Sequence, residues 1–171
     1  MKKQAVRLVA GMAMAGVMAA AWTWSQSSQA ATASANVAVS ASVAANCLVS
    51  AGTLAFGSYD PLAANDAAPL DASGTFTVRC TRGVTAQVGL DNGLWHSGTR
   101  RMRDGAAASY LSYDLYSDSG YTSTWDNVTN RVSYTAPDKS AQTMTVYGRV
   151  PGAQDPAAGS YTDTVAAIAE F

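Results

Sequence analysis

Few side chains in this sequence could do chemistry. They are two cysteines (Cys47 and Cys80), one histidine (His96), a basic cluster of Arg100, Arg101 and Arg103, and eleven aspartates. A Ser-His-Asp triad needs a buried histidine oriented by a carboxylate, and no Gly-x-Ser-x-Gly elbow is present to supply the nucleophile. His96 therefore reads as a solvated loop histidine. The aspartates fall mostly in turns, where Asp bonds to backbone N–H groups, and none stands out as half of an acid/base pair for glycoside hydrolysis. The arginines lie in a Gly- and Arg-containing stretch, Leu94 to Arg103, which reads as a solvated loop. Asn127-Val128-Thr129 matches the glycosylation triplet, a pattern too common to define a site. No Gly-rich phosphate loop occurs. The expectation is a non-enzyme with no catalytic residue, no cofactor and no small-molecule substrate.

The cysteines are an even pair, which in an oxidising compartment is most simply one disulfide. It would close a loop of 34 residues, counting both ends, and stabilise by about 3–4 kcal/mol in the chain-entropy picture. Two free thiols or half a metal site are the alternatives. A zinc site would lack ligands, because the chain has one histidine and no third cysteine.

An oxidising compartment is what the N-terminus implies. Lys2, Lys3 and Arg7 precede an uncharged run from Leu8 to Trp24. Ser28 and Ala30 then form the small-residue pattern of a signal-peptidase site after Ala30, with Ala31-Thr32-Ala33 as a second option. The rival is a membrane anchor. The run has 17 residues, rich in Ala and Gly rather than Leu, at the short edge of what spans a bilayer. Removing residues 1–30 takes away three of the eleven basic residues and none of the twelve acidic ones. That leaves 141 residues with a formal charge of −4. A mildly acidic chain argues against nucleic acid as a partner, since clustered Lys and Arg must neutralise phosphates.

The elements that would position these residues are strands. Beyond the signal segment there is one Lys (Lys139) and one Glu (Glu170), so the favoured residues of exposed helices are nearly absent. Val, Thr, Tyr and Gly abound, as sheets and tight turns require. Thr53 to Phe56 reads as a brief strand and Asn65 to Asp71 as a loop. Period-2 alternation then points inward Phe76, Val78 and Cys80; Val84, Ala86, Val88 and Leu90; Leu111, Tyr113 and Leu115; and Met144, Val146, Gly148 and Val150. The last stretch, Ser160 to Phe171, places Tyr161, Val165, Ala167, Ala169 and Phe171 on one parity. Ile168 sits on the other. Short strands joined by Gly, Pro and Asn turns indicate an all-β sandwich or barrel of one domain.

Residues 31–45 stand apart, without a charge, Pro or Gly. Val37, Val39, Ala41 and Val43 share one parity, which predicts a strand with one apolar face. An uncharged, alternating strand at a chain end invites pairing with another chain; a linker or an ordinary first strand would carry the same pattern.

From Cys47 onward the chain resembles the spore coat protein U family, which includes subunits of Csu-type (archaic) chaperone–usher pili. Cys47 precedes Leu54-Ala55-Phe56-Gly57-Ser58-Tyr59-Asp60-Pro61, close to the family's Phe-Gly-x-Tyr-Asp-Pro signature. Thr75-Phe76-Thr77-Val78-Arg79-Cys80, Leu90-Asp91-Asn92-Gly93, Arg101-Met102 and Leu111-Ser112-Tyr113-Asp114-Leu115-Tyr116 follow in order. Val146 to Pro151 and Gly159 to Val165 complete the match. The resemblance implies an incomplete immunoglobulin-like sandwich, residues 46–171, lacking its final strand. A periplasmic chaperone would supply that strand first. The N-terminal extension of an identical or related pilin would replace it at the outer-membrane usher. Residues 31–45 become the expected donor, with Val37, Val39, Ala41 and Val43 filling the groove. Each buried Val would contribute on the order of 1.5–2 kcal/mol before ordering costs. Tyr161, Val165, Ala167, Ala169 and Phe171 become the expected groove and chaperone strand. The function implied is a pilin exported through the periplasm to a surface fibre, supporting attachment or biofilm. A coat or matrix protein of the same fold is the alternative. Two departures from the family stand out: the last strand is Ala-rich where relatives alternate Thr and Val, and no glycine closely follows Trp125.

Overall fold

The computed structural model describes residues 29–106 and 108–171. The expected signal segment lies outside these, apart from its last two residues. The chain divides after Ser40, and residues 29–46 carry no strand. The strand expected over 31–45 is thus not formed: alternation gives it an apolar face, but a strand also needs a neighbour to satisfy its backbone. Val37, Val39 and Val43 are 84%, 90% and 85% exposed.

Ala41–Phe171 is all-β. Its strands are β1 (Cys47–Thr53), β2 (Leu70–Cys80), β3 (Thr85–Leu90), β4 (Arg100–Asp104), β5 (Tyr110–Tyr116), β6 (Val132–Thr135), β7 (Gln142–Val150), β8 (Tyr161–Thr162) and β9 (Ala167–Glu170). Six form one sheet, in the order β1-β2-β7-β5-β4-β8, and three form another, β6-β3-β9. All pairings are antiparallel, so each sheet can bury one face and solvate the other. The alternating rows meet between the sheets: Phe76, Val78, Ala86, Val88, Leu90, Leu111, Tyr113, Leu115, Val146 and Val150 are all buried.

Three sequence expectations about elements need correcting. The brief strand expected over Thr53 to Phe56 instead runs Cys47–Thr53, and residues 54–56 carry none. β2 begins at Leu70, inside the expected loop, because Leu70 and Asp71 pair with Val150 and Arg149 of the long β7. The arginine stretch is not a loop throughout: Arg100–Asp104 is β4, paired with both β5 and β8.

Arg100 itself is buried, 5% exposed. Its guanidinium donates from Nε to the Asp91 carbonyl (2.8 Å) and from Nη2 to those of Leu90 (2.9 Å) and Trp125 (2.8 Å). Burial lowers its pKa against the opposing fields of Tyr113, Asp114, Asp91 and Asp126. Trp125, 1% exposed, donates Nε1–H to the Val88 carbonyl (2.8 Å) and its backbone N–H to that of Leu115 (2.8 Å). It also packs its ring on Phe76, centroids 5.6 Å apart. One arginine and one tryptophan thereby tie β3 to β5 across the interior.

The disulfide is formed. Cys47 and Cys80 face each other at the first residue of β1 and the last of β2. Just before it, Thr81 donates its N–H to the Asn46 carbonyl (2.8 Å) and its hydroxyl to that of Ala44 (3.2 Å). Within the register shift between Ser50 and Thr53, a Cβ on Gly52 would lie 2.2 Å from the Thr75 carbonyl oxygen. The bulge thus requires glycine, and it turns the chain away from β2 at Leu54.

Candidate functional site: an open groove between sheet edges

Two strands end their sheets on the same side of the molecule. β1 pairs only with β2, and β9 only with β3. The chain from Tyr161 to Glu170 changes sheets on the way. β8 pairs with β4 and β9 with β3, and neither has a second neighbour. Both edges therefore carry backbone donors and acceptors that no ladder satisfies.

Between them lies a cavity of about 640 Å³. One wall is Val49 to Leu54 and Phe56. The other is the continuous segment Tyr161 to Ala167. The floor is the hydrophobic core itself, with Phe76, Leu90, Met102, Leu115 and Val146 reached from outside. A second cavity of about 740 Å³ adjoins it, sharing Leu54, Phe56, Met102 and Tyr161 and running on to the 155–160 loop. β1 and β9 touch, so the groove is open along part of its length.

Local chemistry fixes each wall. Phe56 occupies space that a side chain at position 148 would fill: a Cβ on Gly148 would sit 2.7 Å from Phe56 Cζ and 2.9 Å from Leu54 Cδ1. Phe56 also meets Tyr113 edge-on, centroids 5.9 Å apart. The signature that follows is a structural latch. The Tyr59 hydroxyl bonds to the Pro151 carbonyl (3.1 Å) and accepts from Gln154 N–H (3.0 Å). Asp60 accepts from the N–H groups of Leu62 and Ala63, and the buried Asn65 closes the turn with its side chain. Gln154 then uses its amide as a strand would, accepting from Ser112 N–H (2.8 Å) and donating to the Ser112 carbonyl (3.0 Å).

The opposite wall is held by two aspartates. Asp163 accepts the Tyr113 hydroxyl at 2.7 Å and the N–H groups of Leu94 (2.9 Å) and Thr164 (2.8 Å). Burial, the Asp163 hydrogen bond and nearby negative charge push the Tyr113 phenol far above its ordinary pKa, so it stays a donor. Asp91 accepts from Gly93 and Ala166 N–H, and its own N–H donates to the Ala166 carbonyl. These bonds break the strand between β8 and β9, and they join two motifs distant in sequence, Leu90 to Gly93 and Gly159 to Val165.

Of the residues expected along the groove strand, Tyr161, Val165 and Ala167 line the cavity. Ala169 packs against the core from β9 without lining it, and Phe171 follows β9 with 58% exposure. The facing wall of Val49, Leu54 and Phe56 was not foreseen. Its signal in the sequence is Gly148, whose missing side chain leaves room for Phe56 and Leu54. His96 is exposed.

The Spore Coat Protein U domain family model matches residues 33–168. Protein U of Myxococcus xanthus is 38% identical over 156 residues, covering 84% of this chain and 87% of that protein. Among solved structures, the chain is similar to one in a crystal structure of the CsuC–CsuE chaperone–tip adhesion subunit pre-assembly complex, from the archaic chaperone–usher Csu pili of Acinetobacter baumannii. The TM-score is 0.55 at 26% identity, over 75% of this chain; it spans 40% of the length of that one. The open-edged immunoglobulin-like sandwich, the signature latch and these matches agree: the chain belongs to the spore coat protein U domain family, and is a pilin-like structural protein rather than an enzyme.

Proposed function

We propose that this protein polymerises by strand donation, residues 31–45 of one copy entering the groove of the next. The observation that carries the reading is the pairing of an apolar cavity between two unsatisfied strand edges with an uncharged segment whose valines are exposed. Val37, Val39, Ala41 and Val43 would replace water against Phe76, Leu90 and Leu115, while the donor backbone satisfies both edges. Adjacent strands lie about 4.8 Å apart, so a strand between two others needs roughly twice that. An incoming strand must part β1 from β9 where they touch.

A free groove of this kind exposes core and favours aggregation, so export calls for a transient occupant. That role falls to a periplasmic chaperone pairing with Tyr161 to Phe171, with an outer-membrane usher as the site of exchange. The product is a surface fibre serving attachment or biofilm. The Csu complex, a chaperone with a tip adhesion subunit before assembly, supports this order of events. The similarity to Protein U favours a second reading, a coat layer built from the same sandwich. The two differ in whether assembly requires chaperone and usher.

The test is periplasmic purification of the chain with and without residues 31–45, followed by unheated, non-reducing SDS electrophoresis. Heat-dissociable ladders from the full chain and none from the truncated one are expected. Ladders from both, or stable monomers from both, would overturn strand donation.

A further inference from the structure

We propose that the outer face of β4, where Arg101 and Arg103 lie against Tyr110 and Trp95, is a binding site for a carboxylate-bearing polysaccharide. Alternation along β4 places the residues. Arg100 is buried and Met102 lines the groove, so Arg101 and Arg103 take the opposite face. There the Arg101 guanidinium sits 4.2 Å from the Tyr110 ring centroid, and that of Arg103 sits 4.7 Å from the Trp95 ring. A guanidinium over a ring face can still offer its Nη N–H groups to a carboxylate.

What sets these two apart is an aromatic support without an ion pair: Arg149, over the Tyr121 ring, is paired with Asp71. Arg100 is consumed by three carbonyls, Arg149 by Asp71, Arg131 by Glu170, and Arg79 donates to the Lys139 carbonyl. Arg101 donates only Nε–H, to the Trp95 carbonyl (2.9 Å). The Nε–H of Arg103 is buried with no acceptor. Neither forms an ion pair among the described residues. Two cations fixed on aromatic supports, without a carboxylate of their own, are a receptor for carboxylates from outside.

The rest of the surface selects the polymer. Without residues 1–30 the formal charge is −4, so a polyanion is disfavoured away from the arginine pair. The partly exposed rings, Tyr110 at 38%, offer apolar faces to the C–H surfaces of the sugar rings.

The experiment is affinity electrophoresis and calorimetry of the purified secreted chain with polygalacturonate, with dextran and single-stranded DNA as comparisons. The expected result is salt-sensitive retention by polygalacturonate and none by dextran. Arg101→Gln with Arg103→Gln should weaken binding at least about tenfold, the scale of losing charge-assisted hydrogen bonds. The Lys pair at the same positions should restore it only in part, because Lys keeps charge but not the fork. Trp95→Ala should weaken binding severalfold, and Arg149→Gln should leave it unchanged. Thermal unfolding of each variant separates lost binding from lost folding. Failure of the native chain to bind, binding unaffected by the double substitution in a folded chain, or equal retention by DNA would each overturn the proposal.

Discussion

Between β3 and β5, five hydrogen bonds from Trp125 and Arg100 stitch one sheet to the other through the core. Between β1 and the Tyr161–Glu170 segment, no ladder joins the edges, and core side chains can be reached from outside. The same chain thus spends its strongest polar contacts on one region and leaves the other unfinished. A poorly folded chain would be loose throughout. Here the groove walls are held by specific bonds: the Tyr59–Gln154 latch on one side, and Asp91 with Asp163 on the other. The groove is open at two unpaired edges, yet its rims are fixed by specific bonds.

The largest effect should come from breaking the stitched region. Trp125→Ala removes a buried ring and two sheet-bridging contacts, and should cost about 3–5 kcal/mol, measured by urea unfolding. The loss should be the same with and without a peptide of residues 31–45 present, because that peptide acts on the other region. A loss that vanished on adding the peptide would merge the two regions into one.

Next comes the covalent clamp at the root of β1. Replacing Cys47 and Cys80 together by Ser should cost about 2–5 kcal/mol. It should also loosen β1, one wall of the groove. The peptide should therefore stabilise the Ser variant less than the native chain, where binding to the folded form raises the melting temperature by mass action. Equal gains in both would show that β1 holds its place without the disulfide.

How much of this contrast could be read in the sequence depends on which physical signal each part leaves. The rows through Phe76, Val88, Tyr113 and Val146 were legible because each is half buried, and burial writes a period of two. β4 was not. Its inward residues are Arg100 and Met102, and a buried arginine satisfied by three carbonyls looks, in sequence, like a solvated one. The facing wall of the groove was hidden because its shape comes from an absence, the missing side chain at Gly148 that admits Phe56. The segment over 31–45 differs, because its proposed partner lies outside the single chain. Its pattern is that of a strand, but a pattern does not supply a partner. The interruption between β8 and β9 depends on Asp91 and Asp163, residues whose turn chemistry was evident while their reach across the fold was not.

A substitution at that hidden contact sharpens the comparison. Gly148→Ala puts a methyl 2.7 Å from Phe56, an overpacking that should cost about 1–3 kcal/mol if Phe56 stays. Displaced, Phe56 would shift within the two adjoining cavities it lines. The variant should then lose affinity for the 31–45 peptide by more than its stability falls, as read by fluorescence anisotropy of a labelled peptide. Loss of stability with unchanged peptide affinity would place Phe56 outside the receptive surface.

The smallest effect expected concerns pH, and it belongs to the turn after Trp125. Burial raises the Asp126 pKa, but the N–H groups of Asn130, Val128 and Thr129, with the Thr129 hydroxyl, outweigh it and bring the carboxyl to about 2. A carboxylate whose pKa is lower folded than unfolded binds fewer protons in the folded state. Its contribution is complete above the unfolded value, near 4, and is lost as pH falls towards about 2. The side chain is largely solvated, so screening keeps the contribution below about 1 kcal/mol. Asp126→Asn should lower stability slightly at neutral pH and flatten the fall between pH 4 and 2. Peptide affinity should be unchanged throughout, since Asp126 touches the stitched region and not the groove. An acid-sensitive peptide affinity abolished by Asp126→Asn would mean that the two regions communicate through the Trp125 carbonyl and Arg100.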